Sequence, residues 1–375
     1  MKELRELRGE IDAIDTELVK LFEQRMEVSR QVAETKMEQG LAVLNREREQ
    51  EVLSRVASKA EPGLRDSTRC LYEFIMTLSR QYQQKLMDLQ IKLPSYTGGK
   101  QEYPALVTYQ GVEGAYSEEA LREFFGEEVT AVHVDSFAEV LENLETGNSR
   151  YGILPIENSS TGSINDVYTL LQQYDCYIVG EYKLSISHCL VGTRDCRIGD
   201  IKEVYSHDQG LLQCSHFLNQ YPQMKRIPYY NTAMSAQMVA QCGDKTKAAI
   251  ASRRSAKKYG LRVIEENISN SDNNYTNFII VSKQFEGSPE NDKISAALTL
   301  KHEVGSLYKL LTLFYINGAN LLKLESRPLS GRPFEYCFFV DFEGNISDQN
   351  IKTLINSILE HASSFKLLGN YKKMS

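Results

Sequence analysis

Pro155-Ile156-Glu157-Asn158-Ser159-Ser160-Thr161-Gly162-Ser163-Ile164-Asn165-Asp166 closes a short apolar strand, Gly152–Ile156, and opens a helical stretch, Ile164–Tyr174. A strand that passes into a helix through small hydroxyl residues and Gly is the joint of an α/β unit. Hydroxyls and backbone N–H groups at a helix start can seat an anion, and a well-capped turn accounts for the same residues. Upstream, from Ala105, strands Leu106–Tyr109 and Val129–Val134 alternate with helices Ser117–Phe125 and Phe137–Glu145. Downstream, a second α/β set runs from about 183 to 262, and Asn277–Val281 adds one more strand. A chain that leaves one lobe, builds another and returns encloses a cleft, so residues 105–284 read as a two-lobed α/β domain. Ser206-His207-Asp208-Gln209 follows strand Val204–Tyr205 in the same kind of position.

Residues 1–92 have a different rhythm. Leu4, Leu7, Ile11, Ile14, Leu18, Leu21, Arg25, Val28, Val32 and Thr35 fall at 3,4 spacing, which predicts one long helix ending at Gly40. Two more helices are expected at about 46–60 and 65–91, on either side of Pro62-Gly63. Three helices, the first about 55 Å long at 1.5 Å per residue, bury their own faces poorly, so a dimer is expected. Arg25 occupies a position that should be apolar. An internal salt bridge or a snorkelling side chain accounts for it; so does a pocket for an anion, because Lys36 lies only about 20° around the same helix. Arg8 is about 26 Å from Arg25 by helical rise and can reach that pocket only from a second chain.

Pro94–Lys100 reads as a linker within 93–104, and Gly287–Asn291 as another. Residues 293–375 then read strand, helix, strand, strand, helix, strand, the ferredoxin-like α+β order. At about 150 residues per domain, 375 residues fit a multidomain chain. The 43 Lys+Arg against 50 Asp+Glu leave a formal charge of −7, which argues against nucleic acid as a partner. No run of eighteen apolar residues suggests a membrane span. The charged Met1–Glu6 start does not resemble a secretory signal. The seven scattered cysteines lack metal-site spacing, so a reducing cytosol, no metal and no cofactor are the expectation.

Leu7–Asp15, Arg25, Lys36, Asn45-Arg46-Glu47-Arg48-Glu49, Ser79 and Gln83 together resemble the all-helical chorismate mutases. The resemblance implies that Arg8 of the partner subunit, Arg25, Lys36 and Arg48 hold the carboxylates and ether oxygen of chorismate. It further implies that Glu49 contacts the ring hydroxyl and that Ser79 and Gln83 complete the wall, with Lys36 and Gln83 as the catalytic pair. Asn45 stands where that family usually has Asp. The rearrangement to prephenate needs only positioning and electrostatic stabilisation.

Gly111–Ser117, Pro155–Asp166, Ser187-His188-Cys189-Leu190, Tyr205–Gln209, Asn231–Ala236 and Tyr275-Thr276-Asn277-Phe278 are similar to the prephenate dehydratases. That likeness implies a fold like the periplasmic binding proteins. It implies Thr276 as the essential group, with Asn158, Ser159, Ser160, Thr161, Gln209, Ser235 and Phe278 around prephenate. The family pattern Thr-Arg-Phe is Thr276-Asn277-Phe278 here, which keeps open a mutase with an impaired dehydratase. Gly305-Ser306-Leu307-Tyr308 and Glu325-Ser326-Arg327-Pro328 resemble the motifs of ACT regulatory domains, implying phenylalanine as an effector. The order of the three parts resembles the bifunctional chorismate mutase–prephenate dehydratases of phenylalanine synthesis. A non-catalytic amino-acid sensor is the rival reading, against which the Arg25/Lys36/Arg48/Glu49/Gln83 set stands.

Overall fold

The computed structural model describes residues 2–87, 93–94, 106–271, 273–329, 332 and 335–374. Most of the expected 93–104 linker and the predicted helical residues 88–91 lie outside them. The chain divides into two compact units: Met1–Leu93 with Ala297–Lys366, and Pro94–Ala296 with Leu367–Ser375.

In the first unit, α1 (Leu4–Gln39) and α2 (Arg46–Lys59) both pack on α3 (Arg65–Leu86). Gly40 ends α1 in the left-handed region that a glycine enters without strain, its φ being 64°. Asn45 Oδ1 accepts the Arg48 N–H and starts α2. The periodic face of α1 is left uncovered by the described residues. Ser29 and Ala33 are its buried residues, while Leu4, Leu7, Ile11, Ile14, Leu18 and Leu21 remain exposed.

The second unit opens with β1 (Val107–Gln110), α4 (Tyr116–Phe125), β2 (Ala131–Val134), α5 (Phe137–Glu145), β3 (Tyr151–Asn158), β4 (Gly162–Ser163), α6 (Asn165–Gln173) and β5 (Tyr177–Ser185). The second lobe comprises β6 (Cys189–Gly192), β7 (Glu203–Ser206), α7 (Asp208–Gln213), α8 (Ser215–Leu218), β8 (Lys225–Pro228), α9 (Thr232–Cys242), β9 (Lys247–Ala251), α10 (Arg253–Lys258) and β10 (Arg262–Glu265). The chain then returns as β11 (Tyr275–Ser282).

The first sheet runs β2-β1-β3-β11-β5, with β4 beside β3, and the second runs β10-β6-β9-β7-β8. Both are mixed. β11 enters antiparallel between β3 and β5, because a strand returning from the other lobe needs no crossover helix within its own sheet. The two segments that join the lobes run side by side: the Ile186 N–H donates to Asn274 O at 2.8 Å and the Ile268 N–H to His188 O at 3.0 Å.

The C-terminal elements are β12 (Lys293–Leu300), α11 (Ser306–Ile316), β13 (Leu321–Pro328), β14 (Tyr336–Glu343), α12 (Gln349–His361) and β15 (Ala362–Tyr371). Their sheet order β13-β14-β12-β15 is the ferredoxin-like order, with β13 at an edge. Within the first unit α12 also packs on α3. There Gln84 donates to Glu360 and accepts from Ser357, each at 2.9 Å.

Candidate active sites

Two cations meet one face of α3. Arg25 donates to Ser79 Oγ, and Lys36 donates to Val43 O and, at 3.5 Å, to Gln83 Oε1. Ser79 and Gln83 are one helical turn apart and buried. Burial holds both cations below their ordinary pKa. Neither makes an ion pair among the described residues. Glu49, whose charge opposes the shift of Lys36, is bound by Arg80. Cations desolvated without a carboxylate partner are costly unless an anion arrives.

Arg80 had no role in the sequence reading. Its place between Ser79 and Gln83 was the only signal, and its pairing with Glu49 spans two helices. Asn45 spends its side chain on the α2 cap. Arg48 is exposed and pairs with Glu51 at 2.9 Å, and Arg8 is exposed. Neither is brought to the Arg25–Lys36 pocket within the single chain.

In the second unit, Ser159–Thr161 form the tip of the β3–β4 hairpin rather than the first turn of α6, which begins at Asn165. Asn158 directs this turn. Its Oδ1 accepts the Ser160 and Thr161 N–H groups at 3.0 and 3.2 Å. Its other amide atom must therefore be the NH2, which donates to Asn274 Oδ1, Tyr275 O and Thr276 Oγ1 at 3.0, 3.1 and 2.9 Å. Thr276 Oγ1 is thus an acceptor from Asn158, and its own proton is directed elsewhere. Ser159 Oγ donates to Asn273 O and accepts the Tyr275 N–H, both at 2.9 Å.

Other expected prephenate contacts lie elsewhere. Phe278 is 2% exposed and belongs to the first-lobe core with Tyr109, Leu121 and Ile153, because β11 carries it beneath α4. Ser235 is fully buried in α9 and donates to Asn231 O at 2.7 Å, as a hydroxyl inside a helix does. The Gln209 side chain is exposed, and its N–H is capped by His207 Nδ1 at 3.2 Å. Asn277 is exposed, opposite Glu157 on β3 and Lys183 on β5.

Gly305, at φ 82°, precedes α11, where Leu307 and Tyr308 are exposed and Ser306 is half-buried. Glu325 and Arg327 share a face of β13 as a 2.8 Å ion pair, and Ser326 and Pro328 are exposed between and beyond them.

A family model for chorismate mutase type II matches residues 7–84, and one for prephenate dehydratase matches 107–286. The bifunctional chorismate mutase/prephenate dehydratase of Escherichia coli K12 is 32% identical across 97% of this chain and 95% of that one. The chain belongs to the bifunctional chorismate mutase/prephenate dehydratases. As a member it rearranges chorismate to prephenate and converts prephenate to phenylpyruvate, in phenylalanine synthesis. Solved structures agree. The prephenate dehydratase of Arthrobacter aurescens, in complex with L-Phe, has a TM-score of 0.66 at 26% identity, over 72% of this chain and 90% of that one. That of Staphylococcus aureus has a TM-score of 0.63 at 28% identity, over 71% of this chain and all of that one. No helix among the described residues is long and apolar enough to cross a membrane.

Proposed function

We propose that Arg25, Lys36, Ser79 and Gln83 hold chorismate for the mutase step, in a helical domain of residues 1–92. The observation that carries this reading is that, with Glu49 and Glu360 acting on Lys36 only by their charge, the two half-buried cations make no ion pair among the described residues. They suit a dianion folded into a compact chair, and Lys36 with Gln83 can meet the charge that grows on the breaking ether bond. Glu49 and Asn45 are assigned to the ring hydroxyl, and Arg48 and Arg8 of the partner subunit to the carboxylates. The exposed apolar face of α1 supports a dimer. Mixing Arg8→Ala chains with Arg25→Ala chains should restore mutase activity in heterodimers that carry one intact pocket. Mixed dimers as inactive as either parent would end the shared-pocket reading.

Prephenate is assigned to the second unit, in a domain of residues 105–284 of the periplasmic-binding-protein type. Thr276 assists departure of the ring hydroxyl, while Asn158, Ser159, Ser160, Thr161 and Gln209 line the site. Ser235 and Phe278 support it from behind, in line with their burial. Loss of carbon dioxide and hydroxide aromatises the ring, so a hydrogen-bond donor at the leaving oxygen meets most of the demand.

Residues 293–375 are assigned as an ACT domain that binds phenylalanine at Gly305–Tyr308 and Glu325–Pro328. The ferredoxin-like order and the exposed edge strand β13, open to pairing with a second copy, support this. An effector acts only by binding one global state better than another. Glu325→Ala should therefore keep the basal dehydratase rate and lose inhibition by phenylalanine. Unchanged inhibition in this variant would place the sensor elsewhere. The assay that tests the whole reading follows prephenate and phenylpyruvate from chorismate, with and without phenylalanine.

A further inference from the structure

His188 is 3% exposed on the first of the two segments joining the lobes. The two crossing segments meet at a partly buried hydrogen-bond chain. Tyr116 OH, at the start of α4, lies 2.9 Å from His188 Nδ1. His188 Nε2 lies 2.9 Å from Gln213 Oε1, at the end of α7. Gln213 Oε1 also accepts from Asn274 Nδ2 at 3.2 Å, and Asn274 Oδ1 accepts from Asn158 Nδ2. Asn158 in turn reaches Thr276.

The direction of every bond follows from one end. The backbone N–H groups of Ser160 and Thr161 fix the Asn158 amide, so Asn274 presents its oxygen to Asn158 and its NH2 to Gln213. Gln213 then presents oxygen to His188, and His188 Nε2 must carry a proton. Burial disfavours the imidazolium, so Nδ1 is bare and shares the single Tyr116 hydroxyl proton with Ser187 O, each at 2.9 Å from that hydroxyl. One tautomer satisfies the whole chain.

We propose that His188 is a positioning residue of the dehydratase reaction: through Gln213 and Asn274 it holds Asn158, whose amide direction the Ser160 and Thr161 N–H groups set, in the place that leaves the Thr276 hydroxyl proton for prephenate. This rests on the reading of Thr276 as the acting hydroxyl. Without the Nε2–H, Gln213 and Asn274 lose the contact that orders them. A displacement of about 1 Å at the reacting centre can cost up to 10²-fold in rate.

The test uses the full chain, with kcat and KM for prephenate measured beside the mutase rate, which reports an intact first unit. His188→Leu should lower dehydratase kcat about tenfold or more, with KM within about threefold. His188→Gln, which keeps a donor near Nε2, should recover most of the loss. Gln213→Leu cuts the chain from the other side and should match His188→Leu. The double variant should lose no more than either single one, as for groups in one network. A native kcat in His188→Leu and Gln213→Leu, losses that multiply in the double variant, or a His188→Gln as impaired as His188→Leu would overturn the proposal. Thr276→Val in the same series separates the two ideas. A native rate there removes the acting hydroxyl itself, whereas a lost rate beside native His188 and Gln213 variants removes only the relay.

Discussion

Thr276→Val is expected to lower the turnover of prephenate about 10²–10³-fold, the scale of losing one preorganised donor to a departing oxyanion, while the mutase rate of the same protein stays native. Valine has nearly the shape of threonine, so the site keeps its form. Asn158 loses one of three acceptors but keeps Asn274 Oδ1 and Tyr275 O for its two protons. No buried donor is stranded, and the stability cost should stay near 1 kcal/mol. What disappears is a hydroxyl whose proton Asn158 cannot take. A dehydratase rate within about tenfold of native would show that the leaving hydroxyl draws its proton from another group. Asn277→Arg is the informative companion. Residue 277 is exposed between Glu157 and Lys183, and a partly solvated pair there is worth about 0–1 kcal/mol. The native protein should therefore turn over prephenate, and the arginine should change kcat only modestly. A large gain on adding it would mean that a lost brace limits this enzyme.

Strand alternation made part of this site readable from sequence. Thr276 and Phe278 are buried and Asn277 between them is exposed. Alternation could not say that Thr276 lies at the start of the strand beside Asn158 while Phe278 sits in the core, because depth along a strand depends on what covers it. Arg25 was legible for a related reason: a charge on an apolar stripe breaks a strict pattern. The Glu49–Arg80 pair and the Gln213–Asn274–Asn158 chain break no pattern. Their members are far apart in sequence, and the direction of each amide is set only by its neighbours. The hairpin whose tip is Ser159–Thr161 reads in the sequence only as a strand-to-helix joint, because a two-residue strand, Gly162–Ser163, has too little sequence to announce itself.

Removing the pocket cations should abolish the mutase and stabilise the empty protein. Arg25→Leu and Lys36→Met are each expected to cost about 10²–10³ in kcat/KM for chorismate, with the dehydratase rate unchanged. The stability effect follows from the partners. Arg25 meets a hydroxyl, and Lys36 meets a carbonyl and an amide oxygen. Both are held below their ordinary pKa by desolvation, so burial of charge opposes folding. The sign for Lys36 is set by linkage. An amine whose folded pKa lies below its unfolded one sheds its proton first from the folded state, so stability rises with pH between those two values. Lys36→Met should raise the thermal midpoint at neutral pH and flatten that alkaline rise. A buried salt bridge predicts the opposite, because removing one member strands the other charge and destabilises by about 3–5 kcal/mol. A dicarboxylate that mimics folded chorismate should raise the midpoint of the native chain and leave that of either variant unmoved. Variants that lose both activity and stability would make Arg25 and Lys36 structural cations rather than an anion seat held open for substrate.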